Sequence, residues 1–211
     1  MKNVCLYLVA ILIHLLTVSL SAQTVSDTVF LLKEKKDNIF IEPDKNSVNY
    51  NYLSDFSSFP KESITNKILD LPAKWMPLHL YKSNYYLYKP CDLGTSLRIC
   101  LSNNKIAFER FELYSYKINS KLKKFEDSHY EFTYKDFYKK NICVGIYIID
   151  KLKMIAVFKY IKNANEISYQ LMTDPNNAKQ FQIIINDCRF NKAIEFKFDT
   201  LDFEKLIKEA N

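Results

Sequence analysis

The chain has 211 residues, a formal net charge of +6 from 30 Lys and Arg against 24 Asp and Glu, and 15 tyrosines and 15 phenylalanines beside only two glycines. Basic and acidic residues are interleaved along the chain, which argues against the one-sided basic surface of a nucleic-acid-binding protein. Two glycines are also too few for a glycine-rich loop that cradles phosphate.

The N-terminal 22 residues have the pattern of a secretory signal peptide. Lys2 precedes an apolar run over residues 4–20, and small residues follow at Ser21 and Ala22. The pattern predicts cleavage near residue 22 and an exported protein that is periplasmic, envelope-associated or secreted. An uncleaved anchor is the alternative, because the run is only slightly shorter than the roughly 20 residues that span a bilayer. After cleavage we expect no membrane span and one β-rich domain over residues 23–211.

The first predicted elements are a short strand over residues 39–41 and a helix near residues 60–71. Ser58 and Pro60 suit a helix start, and three apolar residues then recur at helical spacing before Pro72 ends the run. These three are Ile64, Ile68 and Leu71.

The stretches NYYLYK (residues 84–89) and SLRICL (residues 96–101) alternate with the period of a strand. We expect them to be the two arms of one hairpin, with its turn near Asp92. In the first arm, Tyr86 and Tyr88 lie on the face opposite Leu87. Cys91 would then lie at the tip of the hairpin, and Cys100 would lie about six residues along the second arm. This places the two cysteines on the order of 20 Å apart. This separation argues against a bridge between the two cysteines.

The second half of the chain predicts a central hairpin and a C-terminal helix. Residues 141–150 and 153–161 are apolar on both faces, as in strands covered on both sides, and their turn falls at Asp150. Alternation over residues 194–198 predicts a further strand. Asp199 suits the cap of a helix near residues 200–210. The sum is a mainly β fold, an antiparallel meander of about nine to eleven strands closed as a barrel or stacked as a sandwich, with two helices.

Four cysteines follow the predicted signal peptide, and an even number in an oxidising compartment favours two disulfides. They are Cys91, Cys100, Cys143 and Cys188. We expect Cys100 to pair with Cys143, because each lies opposite the more aliphatic face of its strand, and Cys91 to pair with Cys188. Four reduced, buried thiols are the alternative. A nucleophilic role for Cys91 is disfavoured, because no nearby histidine has the spacing of a cysteine hydrolase.

No motif predicts a metal site, a cofactor site or catalytic residues. The stretch EDSHYE, residues 126–131, places His129 among three acidic residues, and a solvated face of an edge strand explains this pattern better than a metal site does. Paired carboxylates of a hydrolase can lie anywhere in the sequence, and no pair stands out.

Tyrosine is the unusual abundance, and its clusters include Tyr114 with Tyr116, and Tyr130 with Tyr134 and Tyr138. Such rings suit strands and also suit binding surfaces. We expect an exposed contact face made by Trp75, Tyr86 and Tyr88.

The sequence as a whole favours a non-catalytic protein-binding module of the bacterial envelope, of inhibitor or immunity type. The alternatives are a ligand-holding barrel or structural envelope protein, and a carboxylate-dependent hydrolase. A flat aromatic patch would support a protein partner, an open apolar barrel interior would support a ligand, and a cleft with converging acidic or histidine side chains would support an enzyme.

Overall fold

The computed structural model describes residues 28–33, 37–60, 68–91, 97–126, 128–188 and 195–210. The predicted signal peptide, residues 61–67 of the predicted first helix, and Ile194 lie outside these ranges. The described part of the chain is dominated by strands, which confirms the mainly β class.

The described elements alternate between short strands and a few short helices. In chain order they are β1 (Val29–Lys33), β2 (Asp37–Ile41), α1 (Val48–Ser54), β3 (Lys74–Pro77), β4 (His79–Tyr81), β5 (Asn84–Lys89), β6 (Arg98–Leu101), β7 (Lys105–Glu109), β8 (Leu113–Lys117), β9 (Lys123–Lys124), β10 (His129–Lys135), β11 (Asn141–Asp150), β12 (Ile155–Asn163), β13 (Glu166–Thr173), a 3-10 helix (Pro175–Gln180), β14 (Gln182–Cys188) and α2 (Phe203–Ala210).

The strands form two sheets. The small sheet has the order β1-β2-β14-β5-β4, and the large sheet has the order β8-β7-β6-β3-β13-β12-β11-β10-β9. Neighbouring strands are antiparallel, as predicted, except that β5 and β14 run parallel. The predicted central hairpin is confirmed as β11 and β12, whose ten and nine residues pair along almost their whole length.

The large sheet curls into a barrel that is closed at one point. Ile118, just after β8, forms an antiparallel bridge with Tyr134 of β10, and the Asn119 backbone N donates to the Thr133 carbonyl at 2.8 Å. Apolar side chains fill the interior, as is usual for small barrels. Among them, Trp75 is fully buried and meets Phe158 edge-on, with ring centroids 5.1 Å apart.

The small sheet packs against the outside of this barrel, so the fold combines the two architectures that the sequence left open. Val157 and Leu171 of the large sheet share a buried cluster with Leu87 and Ile183 of the small sheet. Both α-helices add to the same cluster, α2 through Ile207. The central strands are therefore covered on both faces, which explains their continuous apolar sequences.

The predicted hairpin over residues 84–101 is wrong. β5 pairs with β4 and β14 in the small sheet, whereas β6 pairs with β3 and β7 in the large sheet. The predicted opposition of Leu87 to Tyr86 and Tyr88 is nevertheless correct, because these residues belong to different buried clusters. Alternation defines the faces of a strand and leaves its partner undetermined.

The described end of the predicted helix near residues 60–71 is not helical. Ile68 and Leu71 form an antiparallel bridge around a tight turn, in which Leu69 has a φ of 53°. The apolar spacing that predicted a helix thus arises from two buried bridge residues, Ile68 and Leu71.

The predicted C-terminal helix is confirmed, but its cap and the strand before it are not. The Lys205 backbone N donates to Asp202 Oδ1 at 3.0 Å, so Asp202 caps α2. Asp199 instead accepts from the Lys82 backbone N at 2.7 Å. Residues 195–200 form no strand and cross the outer face of the small sheet, where Phe196 and Phe198 pack.

Candidate functional site

The predicted contact face of Trp75, Tyr86 and Tyr88 is buried, so that prediction is wrong. Trp75 lies inside the barrel. Tyr86 and Tyr88 lie under the segment of residues 195–200, with the Tyr88 and Phe198 ring centroids 5.1 Å apart. The Tyr88 hydroxyl donates to Glu195 Oε2 at 3.1 Å. Both faces of β5 are therefore used for packing.

The predicted bridge between Cys100 and Cys143 is also wrong, because both are free thiols. Their strands, β6 and β11, are separated by β3, β13 and β12, or on the order of 20 Å along the sheet, whereas a disulfide needs Cα atoms within about 7 Å. Cys91 is not one of the free thiols. Its pairing with Cys188 stays a prediction, because the Cys188 side chain lies outside the described residues.

Neither free thiol is activated as a nucleophile. Burial raises the pKa of Cys100 to about 12. Burial and the Glu131 carboxylate raise the pKa of Cys143 above its ordinary value. The reactive thiolate is thereby disfavoured at both positions.

His129 is held by stacking and by one acidic neighbour. Its ring lies 4.3 Å from the Tyr147 ring and 5.2 Å from the Phe125 ring, and its Nε2 is 3.1 Å from Glu131 Oε1. Within the described ranges, no three His, Cys, Asp or Glu side chains are grouped so that they could hold a metal ion. Asp127, which the sequence grouped with His129, lies outside those ranges.

A cleft of about 340 Å³ opens at one end of the barrel, and this volume is in the range of sites that take a small ligand or a single side chain. Aromatic residues dominate its walls, and we call it the tyrosine cleft. It is lined by Leu97, Phe108, Arg110, Tyr114, Tyr116, Tyr134, Ile142, Tyr160, Lys162, Ser168, Tyr169 and Gln170.

The topology explains why these residues meet. Because neighbouring strands of the large sheet are antiparallel, the turns β7–β8, β10–β11 and β12–β13 all lie at the same end of the sheet. These turns are residues 110–112, 136–140 and 164–165. The lining residues lie on or close to the strand ends beside these turns, and curling of the sheet brings those ends around a common opening.

The floor of the tyrosine cleft is a bowl of tilted rings. The Phe108 ring centroid lies 6.0 Å from that of Tyr116, 5.8 Å from that of Tyr134 and 6.2 Å from that of Tyr160. The interplanar angles of these pairs are 62°, 46° and 55°, so the cleft presents both ring edges and ring faces. Such a bowl suits an inserted side chain better than a flat ring system that needs a parallel platform.

The hydroxyl of Tyr160 is buried and has no hydrogen-bond partner among the described residues. Burial and the neighbouring Tyr134 raise the pKa of Tyr160 well above its ordinary value, and Arg110 opposes this shift. The hydroxyl therefore stays protonated, as a buried donor beneath the lining of the cleft.

The charged groups of the tyrosine cleft are cationic. Lys162 is neutralised by an ion pair with Glu166. Across the described ranges, no carboxylate forms an ion pair with Arg110, and the cleft lining contains neither an acidic residue nor a histidine. Carboxylates lie at the rim, where Glu112 Oε2 accepts from the hydroxyl of the lining residue Tyr114 at 2.9 Å, but none of those described is paired with Arg110.

Three large rings stand exposed on the turns at this end of the barrel. Phe111 is 77% exposed in the β7–β8 turn, and Phe137 and Tyr138 are 80% and 78% exposed in the β10–β11 turn. Exposed aromatic rings grouped beside a cleft mark interaction surfaces.

Sequence reasoning noted Tyr114, Tyr116, Tyr134 and Tyr138 as clusters but missed Tyr160 and Arg110. The available signal was their common position beside turns, which places them at one end of an antiparallel sheet. Without the order of the strands, that signal could not be separated from the ordinary preference of tyrosine for strands.

No family model matches the chain, and no curated protein or solved structure matches it either. Among the helices in the described ranges, none has the length and apolar character required to cross a membrane.

Proposed function

We propose that this chain is a non-catalytic protein-binding module whose contact surface is the tyrosine cleft with the exposed rings around it. The observation that carries the proposal is the grouping of Phe111, Phe137 and Tyr138 on turns beside an aromatic cleft. Protein interfaces commonly combine an anchor residue inserted in a pocket with surrounding contacts that exclude water. In this proposal the chain is exported and acts in the bacterial envelope as an inhibitor or immunity-type partner.

The alternatives have less support from the geometry. A ligand-holding barrel needs an open interior, whereas Trp75 and Phe158 fill the interior of this barrel. A hydrolase needs carboxylates that converge in a cleft. Asp150 and Glu209 line a smaller cavity of about 210 Å³, whereas the larger tyrosine cleft has only aromatic, aliphatic, amide, hydroxyl and cationic side chains.

The test is a pull-down from cell-envelope extract with the full chain and with variants at the two ends of the barrel. F111S and F137S remove exposed rings beside the cleft. L152S is the matched control, because Leu152 is 91% exposed in the β11–β12 turn at the opposite end.

We expect the wild type and L152S to retain the same stoichiometric partner, and F111S and F137S to lose it. Recovery of no stoichiometric partner, or its equal retention by all four proteins, would contradict the proposal. Because all three positions are exposed, the variants should keep the stability of the wild type.

A further inference from the structure

We infer that the tyrosine cleft accepts an aromatic side chain of the partner that lies next to an acidic residue within the partner's chain. This inference rests on the proposed function and specifies the chemistry of the anchor. Two features of the cleft carry it: the tilted rings of the floor and the Arg110 guanidinium, which forms no ion pair with a described carboxylate.

The lining of the cleft selects an aromatic anchor. The Phe108 ring is tilted by 46° to the Tyr134 ring and by 55° to the Tyr160 ring. An inserted ring therefore contacts ring edges on one side and ring faces on another. Aromatic pairs favour edge-to-face and offset arrangements over a perfect face-to-face sandwich. Leu97 and Ile142 complete the lining with aliphatic surface.

Charge complementarity selects the acidic neighbour. Arg110 lines the cleft without a carboxylate partner among the described residues, and the guanidinium group matches a carboxylate with two parallel hydrogen bonds. Lys162 competes little, because Glu166 already neutralises it. A carboxylate beside the inserted ring would compensate the charge of Arg110 at the mouth.

The exposed rings of Phe111 and Phe137 belong to two different turns at the mouth. A partner segment that crosses the mouth contacts both turns, whereas a chain end contacts one. The acidic group is therefore assigned to an Asp or Glu side chain rather than to a terminal carboxylate.

The test uses blocked peptides and the purified full chain, with binding followed through backbone amide chemical shifts. The first probe is acetyl-Ala-Glu-Phe-Ala-amide. A second replaces Glu with Gln to remove the charge, a third replaces Phe with Ala to remove the ring, and a fourth, acetyl-Ala-Gln-Phe with a free carboxyl end, supplies a terminal carboxylate instead.

We expect the Glu-Phe peptide to shift amides beside the cleft and to bind about tenfold more tightly than the Gln-Phe peptide. The chemical shifts should not reach saturation with the peptide that lacks the ring. R110Q should lower the affinity for the Glu-Phe peptide about tenfold and leave the affinity for the Gln-Phe peptide unchanged. K151Q, an exposed lysine in the turn at the opposite end, is the matched control and should leave both affinities unchanged.

Equal affinities for the Glu-Phe and Gln-Phe peptides, or an absence of shifts beside the cleft, would overturn the inference. Tighter binding of the free-acid peptide than of the Glu-Phe peptide would also overturn it. The proposed function is judged separately by the pull-down, since F111S and F137S report on a protein partner whatever residue fills the cleft.

Discussion

Beneath the floor of the tyrosine cleft, the Tyr160 hydroxyl reduces stability because it is buried and has no acceptor among the described residues. A buried donor without an acceptor costs about 1–3 kcal/mol relative to a satisfied one. We therefore expect Y160F to raise the free energy of unfolding by about 1 kcal/mol, or the melting temperature by about 2–4 °C. Thermal melts measure this change.

Tyr50 provides the control for this prediction. Its buried hydroxyl donates to the Phe181 carbonyl at 2.8 Å, so Y50F should lower the free energy of unfolding by about 1 kcal/mol. A destabilised Y160F protein would show that the Tyr160 hydroxyl has a hydrogen-bond partner in the folded state.

Gly145 is needed because the Tyr147 ring leaves no room for a Cβ at this position, and not because of its backbone conformation. A Cβ at this position would lie 2.8 Å from Tyr147 Cε2, and the Tyr147 ring is stacked on His129. We expect G145A to lower the free energy of unfolding by about 1–2 kcal/mol, because the ring must leave its stacked position. Urea unfolding measures this change.

The double variant G145A/Y147A separates this collision from other effects of the new methyl group. Its loss of stability should be smaller than the sum of the losses in the two single variants, because the ring that collides is absent. Additive losses would mean that the methyl group clashes with something other than Tyr147.

At the scale of elements, α2 is held to the large sheet by one buried residue and by an exposed polar network. Ile207 is buried in the cluster between the sheets. Lys159 Nζ lies 2.8 Å from Glu204 Oε1, and the Tyr169 hydroxyl also donates to Glu204. The Tyr169 ring stacks on Phe203 at 5.2 Å.

These contacts should differ in their contribution to stability. We expect I207A to lower the free energy of unfolding by about 2–3 kcal/mol, through lost burial and a residual cavity. E204Q should cost less than about 1 kcal/mol, because the carboxylate is about half exposed. Urea unfolding, with amide hydrogen exchange over residues 203–210, measures both. Equal losses in the two variants would show that the polar network holds the helix.

Elements with a strong local pattern were predictable, and those defined by packing were not. The hairpin of β11 and β12 and the helix α2 carry apolar patterns that continue over eight residues or more. By contrast, α1 was missed, because its sequence VNYNYLS favours no helix by itself. It forms where Tyr50 and Leu53, three residues apart, reach the buried cluster between the sheets.

The candidate site was predictable only in its composition. Alternation along β8 and β10 indicates which tyrosines share a face, but the bridge between Ile118 and Tyr134 that closes the barrel involves residues far apart in sequence. The predicted face failed for the same reason, since residues 195–200 cover Tyr86 and Tyr88 from about 110 residues away in the chain.

At the scale of the whole molecule, His79 should make stability depend on pH. Its ring stacks on Phe198 at 4.3 Å and meets Tyr88 at 5.8 Å, so it is enclosed between the small sheet and residues 195–200. Burial lowers the pKa of His79 from 6.5 to about 4. Because the folded state favours the neutral ring, this stabilisation is complete above pH 6.5 and is lost as the pH falls toward 4.

We expect the free energy of unfolding of the wild type to fall by about 2 kcal/mol more than that of H79Q between pH 7 and pH 4.5. The comparison removes the contribution of carboxylates, which titrate in both proteins. Urea midpoints at the two pH values measure the difference. Parallel losses in the two proteins would mean that His79 titrates with the same pKa in the folded and unfolded states.

The position of β14 between β2 and the parallel strand β5 imposes an order of assembly on the chain. Gln182 of β14 pairs with Tyr86 of β5, nearly a hundred residues earlier, whereas β10 to β13 pair with their immediate neighbours in sequence. Local pairings form quickly and distant ones slowly, so the barrel hairpins should form first and the small sheet last. Until β14 arrives, β2 and β5 expose unpaired edges, which are the part of a folding intermediate most prone to aggregate.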